Sequence, residues 1–190
     1  MSIKEFLRLA ILPTKIIDSA LPIHGLVYEI GSGYGILGEY LAKQKKSRNI
    51  VCIDTDSKKI ILSQKMFCLK NLSFIVGRAE TFSYRKCQGI VMSDFLHHVH
   101  YDIQNIILKR AARSLDRNGI LLIKEINRKD RIRRWLSRFW DLILYPKDHI
   151  YYREKSELKK YLETLNFSVD TRPAVLWFPG STHIYICRKK

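Results

Sequence analysis

The stretch VYEIGSGYGILGEYL, from Val27 to Leu41, holds residue types whose spacing can do chemistry. Apolar residues lead to an acid at Glu29, glycines stand at Gly31, Gly33 and Gly35 with Ser32 among them, and Ile36, Leu37, Tyr40 and Leu41 then take up helical spacing. The pattern predicts a buried parallel strand, a glycine turn and a helix, which together form a ligand-binding arrangement. Glycine suits such a turn because it adopts positive φ without steric cost and puts no Cβ between the backbone and a ligand. The first turn of the helix adds free N–H groups aimed at the same place.

Spacing narrows the ligand. A dinucleotide fingerprint, G-x-G-x-x-G, would need glycine where Ile36 stands, and no Lys-Ser or Lys-Thr follows to make a phosphate-cradling loop. The E-x-G-x-G-x-G pattern resembles the first motif of class I S-adenosylmethionine-dependent methyltransferases. That resemblance implies a Rossmann-like three-layer α/β sandwich with helices on both faces. Its seven-stranded sheet would be mostly parallel, with the last strand antiparallel. It also implies S-adenosylmethionine as cofactor, S-adenosylhomocysteine as product and no metal, with Glu29, Gly31, Ser32, Gly33 and Gly35 around the methionine portion.

The next segments supply the other walls of such a site. Asn49 to Ile53 reads as a strand ending at Asp54 and Thr55, and in nucleoside-binding α/β folds an acid about 20 residues past the glycines accepts from the ribose hydroxyls. Asp54 has that place, while Asp56 is suited to cap the helix that follows, expected to run to about Leu69. A third strand, Leu72 to Val76, leads into Gly77-Arg78-Ala79-Glu80. Relatives commonly carry an acid where Arg78 stands, to receive the adenine amino group. Its absence leaves the Ala79 N–H to meet the adenine ring and leaves open whether Glu80 substitutes for the acid, with Arg78 facing solvent.

Gln88 to Ser93 reads as the fourth strand, and the Asp94-Phe95-Leu96-His97-His98-Val99 segment after it is similar to the family's fourth motif. The resemblance puts Asp94 and Phe95 beside the cofactor and the following turn toward the acceptor. Neighbouring helical residues point about 100° apart, so at most one of His97 and His98 faces the site. An imidazole there could take a proton from a hydroxyl or amine acceptor. Asp94, His97 and His98 could also form a metal site, with His149 or His183 as further ligands. However, the E-x-x-E-H pattern of metal-using relatives is altered at two positions.

Residues 101 to 115 form an amphipathic pattern that Asn118-Gly119 should close, and Ile120 to Ile126 reads as the fifth strand. Glu125 and Asn127 share a face at that strand's carboxyl end, so Glu125 is expected to touch substrate. Residues 128–153 then make a helical lid over the acceptor. Ile132, Trp135, Leu136, Phe139, Leu142 and Ile143 form its stripe, arginines stand around it, and Trp135, His149 and Tyr152 are the substrate candidates. The same stripe suits an anionic lipid surface or a lipid-like substrate, and nucleic acid less well. A helix from Glu154 or Ser156 to Leu165, a strand from Asn166-Phe167 to Thr171 and a last strand from Thr182 to Arg188 finish the chain in the way the family does.

Composition bounds what remains. The 190 residues suit a single domain, residues 1–190, with an N-terminal helical cap over residues 1–22. The chain has no run long enough for a membrane span and no cleavable leader pattern, so it is expected in the cytoplasm. The apolar face Ile3, Phe6, Leu7, Ala10 and Ile11 would allow peripheral contact with the inner membrane face. Cys52, Cys68, Cys87 and Cys187 are too scattered for a metal or disulfide framework and read as reduced core thiols. The net charge of +16 is spread along the sequence except at Lys43 to Arg48, Arg128 to Arg138 and Arg188 to Lys190. The expected activity is methyl transfer to a small, hydrophobic or lipid-like acceptor. The alternatives are a nucleic-acid methyltransferase that uses the basic surface and a non-catalytic partner that binds S-adenosylmethionine.

Overall fold

A computed structural model describes residues 12–127, 150–174 and 182–190. The apolar runs become strands β1 (Gly25–Ile30), β2 (Arg48–Asp54), β3 (Leu72–Val76), β4 (Cys87–Ser93), β5 (Leu115–Ile126), β6 (Phe167–Pro173) and β7 (Thr182–Lys189). Between them lie α1 (Thr14–Ala20), α2 (Ile36–Gln44), α3 (Ser57–Met66), α4 (Tyr101–Ser114) and α5 (Lys155–Thr164). The strands make one seven-stranded sheet in the order β3-β2-β1-β4-β5-β7-β6, in which β7 runs antiparallel to both its neighbours.

Alternation along the strands divides the core into two layers. Val27, Ile50, Cys52, Val91 and Leu122 meet α1, α2 and α3 on one face. Ile90, Met92, Leu121 and Ile123 meet Ile107 and Leu108 of α4 and Leu158 and Leu162 of α5 on the other. This is the expected three-layer sandwich. From β1 the chain winds outward to β3 and then returns to place β4 on the other side of β1. That reversal opens a crevice at the carboxyl ends of β1 and β4, the place where open α/β sheets bind ligands.

Several boundaries differ from the sequence expectation. α4 stops at Ser114 instead of at Asn118-Gly119, because Leu115 turns into the core and begins β5. Between Leu115, which pairs with Cys87, and Ile120, which pairs with Gly89, the strand carries a bulge with Asn118 at φ 64°. α3 ends at Met66 because Phe67 goes extended and stacks on Phe74, ring centroids 6.2 Å apart.

Arg48 leaves the basic surface segment altogether. Fully buried, it pairs with Asp18 at 2.7 Å and donates from Nε to the Pro22 carbonyl, which ties α1 to the base of the sheet. Cys52, Cys87 and Cys187 are buried, but Cys68 is exposed and is therefore no core thiol. No helix among the described residues is long and apolar enough to cross a membrane. The expected apolar face at residues 3–11 and the stripe at residues 131–145 lie outside the described residues.

Candidate active site

The glycine turn joins β1 to α2. Gly31, Gly33 and Gly35 all adopt positive φ, at 71°, 56° and 67°. The turn is pinned to β2: the Gly31 and Ser32 N–H groups donate to the Ile53 carbonyl at 2.8 and 3.1 Å, and Gly33 N–H donates to Asp54 Oδ2 at 2.7 Å. A Cβ on Gly31 would sit 2.3 Å from the Phe95 ring, and one on Gly35 would sit 2.2 Å from Phe74. At Gly33 a Cβ would meet nothing within 4 Å. Two of the glycines therefore let the turn press against its neighbours, and the middle one opens onto space. That space is a cavity of about 500 Å³, a size suited to a small molecule, lined from β1, β2, β4 and the loops after them.

The acids around the cavity are each held by a hydrogen bond or an ion pair. Glu29 stands one residue before the end of β1 with its carboxyl buried, and burial pushes its pKa from the ordinary 4.5 up to about 7, against the opposing hydrogen bond from Cys52 Sγ at 3.1 Å. Asp54, at the end of the neighbouring strand β2, accepts from Gly33 N–H at one oxygen and from Asp56 N–H, at 2.9 Å, at the other. Asp56 is the cap of α3, accepting from the Lys58 and Lys59 N–H groups. Thr55 stands exposed on the cavity's rim. Ala79 is buried in the wall, and Arg78 extends outward from it to pair with Glu80.

The two histidines part company in the 3₁₀ turn Leu96–His98. His98 lines the cavity with Asp94, Phe95, Val99 and Ile103, whereas His97 is buried on the far side, Nδ1 2.6 Å from Glu125 Oε2. The other Glu125 oxygen accepts from the Phe95 and Leu96 N–H groups at 3.1 and 2.7 Å. Glu125 thus does not line the cavity, as its place at a strand end implied it would. It shares the face of Leu121 and Ile123, which looks toward α4 and α5, and there it grips the turn from behind. Tyr152 is no cavity residue either: it is buried, its ring centroid 5.4 Å from that of His97 and its carbonyl accepting from the Tyr101 hydroxyl. Trp135 and His149 lie outside the described residues.

Two further residues escaped the sequence reading. Lys124, on the face opposite Glu125, pairs with Asp94 Oδ2 at 2.5 Å and balances a carboxylate whose residue sits at φ 52°. Its alternation with Glu125 was the available signal. Gln104 Nε2 donates to the carbonyls of Leu96, Val99 and Tyr151, locking the histidine turn to α4 and to the segment at Tyr151, and no local pattern announces it. Among the described residues no group of three His, Cys, Asp or Glu side chains could hold a metal ion. The site fits a nucleoside carrying an amino-acid tail. Ser32 Oγ is buried there without a hydrogen-bond partner among the described residues, and Gly33 leaves the backbone bare.

A family model described as a methyltransferase domain matches residues 11–172. No curated protein matches the sequence. Among solved structures, a SAM-dependent methyltransferase from Methanosarcina mazei superposes with a TM-score of 0.72 at 20% identity, over 92% of this chain and 96% of that one. Magnesium protoporphyrin IX methyltransferase from Synechocystis, solved with bound S-adenosylhomocysteine, gives 0.70 at 18% identity over 98% and 83%. Human N-acetylserotonin methyltransferase, solved with S-adenosylmethionine, gives 0.74 at 15% identity over 93% of this chain and 51% of that one, so the chain spans about half of the human enzyme. At these identities the likeness is one of fold.

Proposed function

The chain belongs to the methyltransferase-domain family, and we propose that it transfers the methyl group of its cofactor, S-adenosylmethionine, to a small apolar or lipid-like acceptor seated against His98. The observation that carries the reading is the bare Gly33 facing a cavity that His98 lines together with the apolar Val99, Ile103 and Leu12. When bound, the sulfonium supplies an electrophilic methyl whose displacement needs in-line alignment and no protonated leaving group.

The chain's own residues then have definite tasks. The turn from Gly31 to Gly35 receives the methionine portion, with Ser32 Oγ and the buried Glu29 carboxyl as polar partners. Asp54 offers its remaining lone pairs to the ribose hydroxyls. Asp94, balanced by Lys124, keeps a fixed negative charge next to the reacting centre. His98 accepts the proton that a hydroxyl or amine acceptor gives up as it is methylated. Leu12, Val99 and Ile103 keep water from the acceptor side.

The test is to incubate the protein with methyl-labelled S-adenosylmethionine and fractionated cell extract. Label is expected in organic-soluble small molecules. The exposed Lys43, Lys45 and Lys46 favour a second reading, a nucleic-acid acceptor. Label in RNA, with binding lost steeply as salt rises, would replace the first reading by that one. Cofactor binding without label in any fraction would mark a non-catalytic partner protein.

A further inference from the structure

Adenine shows on one edge a ring nitrogen that accepts and an exocyclic amine that donates, so a pocket reading that edge needs a donor and an acceptor side by side. The loop after β3 carries such a pair. Ala79 is buried in the cavity wall, and its N–H has no acceptor among the described residues. Glu80 follows on the same wall, its side chain 14% exposed. Arg78 holds it from outside: Nε and Nη2 both reach Oε1, at 2.6 and 2.5 Å, and Oε2 has no donor among the described residues.

The loop itself is fixed. Thr81 and Phe82 N–H groups close on the Arg78 carbonyl at 3.1 and 2.9 Å, and the Tyr84 hydroxyl donates to the Ala79 carbonyl at 3.0 Å. The two cofactor-facing groups therefore sit on a rigid support, and two donors on one oxygen set the plane of the carboxylate.

We propose that Glu80, oriented by Arg78, receives the exocyclic amine of the cofactor's adenine and so replaces the acid missing at residue 78. The proposal rests on S-adenosylmethionine being the cofactor. A carboxylate only accepts, so this site should reject a purine whose amine has become a carbonyl, since neither partner then donates.

Binding of S-adenosylhomocysteine and of its 6-oxo analogue, S-inosylhomocysteine, measured by calorimetry on the full chain, tests this. The wild type should prefer the adenosyl ligand by roughly tenfold or more, the scale of one hydrogen bond to a charged group. Glu80→Gln, whose amide can donate to the 6-oxo group, should narrow that preference by roughly tenfold, because only the Ala79 clash remains. Arg78→Met should weaken the adenosyl ligand several-fold and keep the preference. The preference is a ratio within each variant, so a general loss of folded protein cancels from it. A ratio in Glu80→Gln equal to that of the wild type would overturn the proposal while leaving the cofactor reading intact. A wild type that binds neither ligand would overturn both.

Discussion

Glu125 Oε2 lies 2.6 Å from His97 Nδ1 in the layer behind the cavity wall, so this carboxylate bears on the site only through the turn it holds. Glu125→Ala would strand the buried Leu96 amide, the partly buried Phe95 amide and the imidazole, at a cost of about 3 kcal/mol or more. Glu125→Gln, which keeps an acceptor for the amides, should lose less. Urea denaturation checks both, and an alanine variant as stable as the wild type would remove the holding role.

His98→Ala should lower kcat while leaving the affinity for S-adenosylmethionine within about twofold, since its ring faces the acceptor side. His97→Ala should instead lower stability, because it empties a buried position on Glu125. Single-turnover rates combined with calorimetry separate the two. A loss of cofactor affinity in the His98 variant would take that residue out of the acceptor pocket.

The glycines should divide in the same way. Gly33→Arg projects into open space, so labelling should vanish while stability falls only by the left-handed backbone penalty, about 1–2 kcal/mol. Gly31→Ala meets the Phe95 ring and should lose stability beyond that penalty. If both variants melt alike and both bind cofactor, the turn does not face a ligand.

How much of this was legible beforehand depends on how local each signal is. The glycine turn, Asp54 and the Asp56 cap could be read because each is a short pattern next to its own strand or helix. The bulge at Asn118 is not legible in the same way, because Asn-Gly ends a helix as readily as it interrupts a strand and only the burial of Leu115 decides. Arg48 looked like one more solvated cation in a lysine-rich segment, since its partner Asp18 lies 30 residues away in sequence. Glu125 was placed on the correct strand end, but alternation alone does not say which face looks on the cavity.

Glu29 makes apo stability depend on pH. With its pKa raised from 4.5 to about 7 in the fold, the unfolded chain releases this proton first, so stability falls as pH rises through that window and levels off above it. The whole displacement is worth on the order of 3 kcal/mol. Glu29→Gln should abolish that slope and be the more stable protein at pH 8. Parallel stability curves for the two proteins between pH 5 and 8 would contradict this.

Arg48→Ala should free the end of α1. Removing the guanidinium leaves the Asp18 carboxylate and the Pro22 carbonyl without their buried donor, and a loss of about 3 kcal/mol is expected. Limited proteolysis should then cut between Thr14 and His24, where the wild type resists. Resistance equal to the wild type would show that the apolar contacts of Ile17 and Leu21 hold the helix without the ion pair.

The insertion of β7 between β5 and β6 sets an order of events at the ribosome. Until Thr182–Lys189 has emerged, β6 has no neighbour to join and β5 presents an open edge to anything nearby. The nascent chain can lay down the nucleoside-binding half early. It must shelter its other half until β7 has emerged, which makes this interval the one in which a chaperone would matter most.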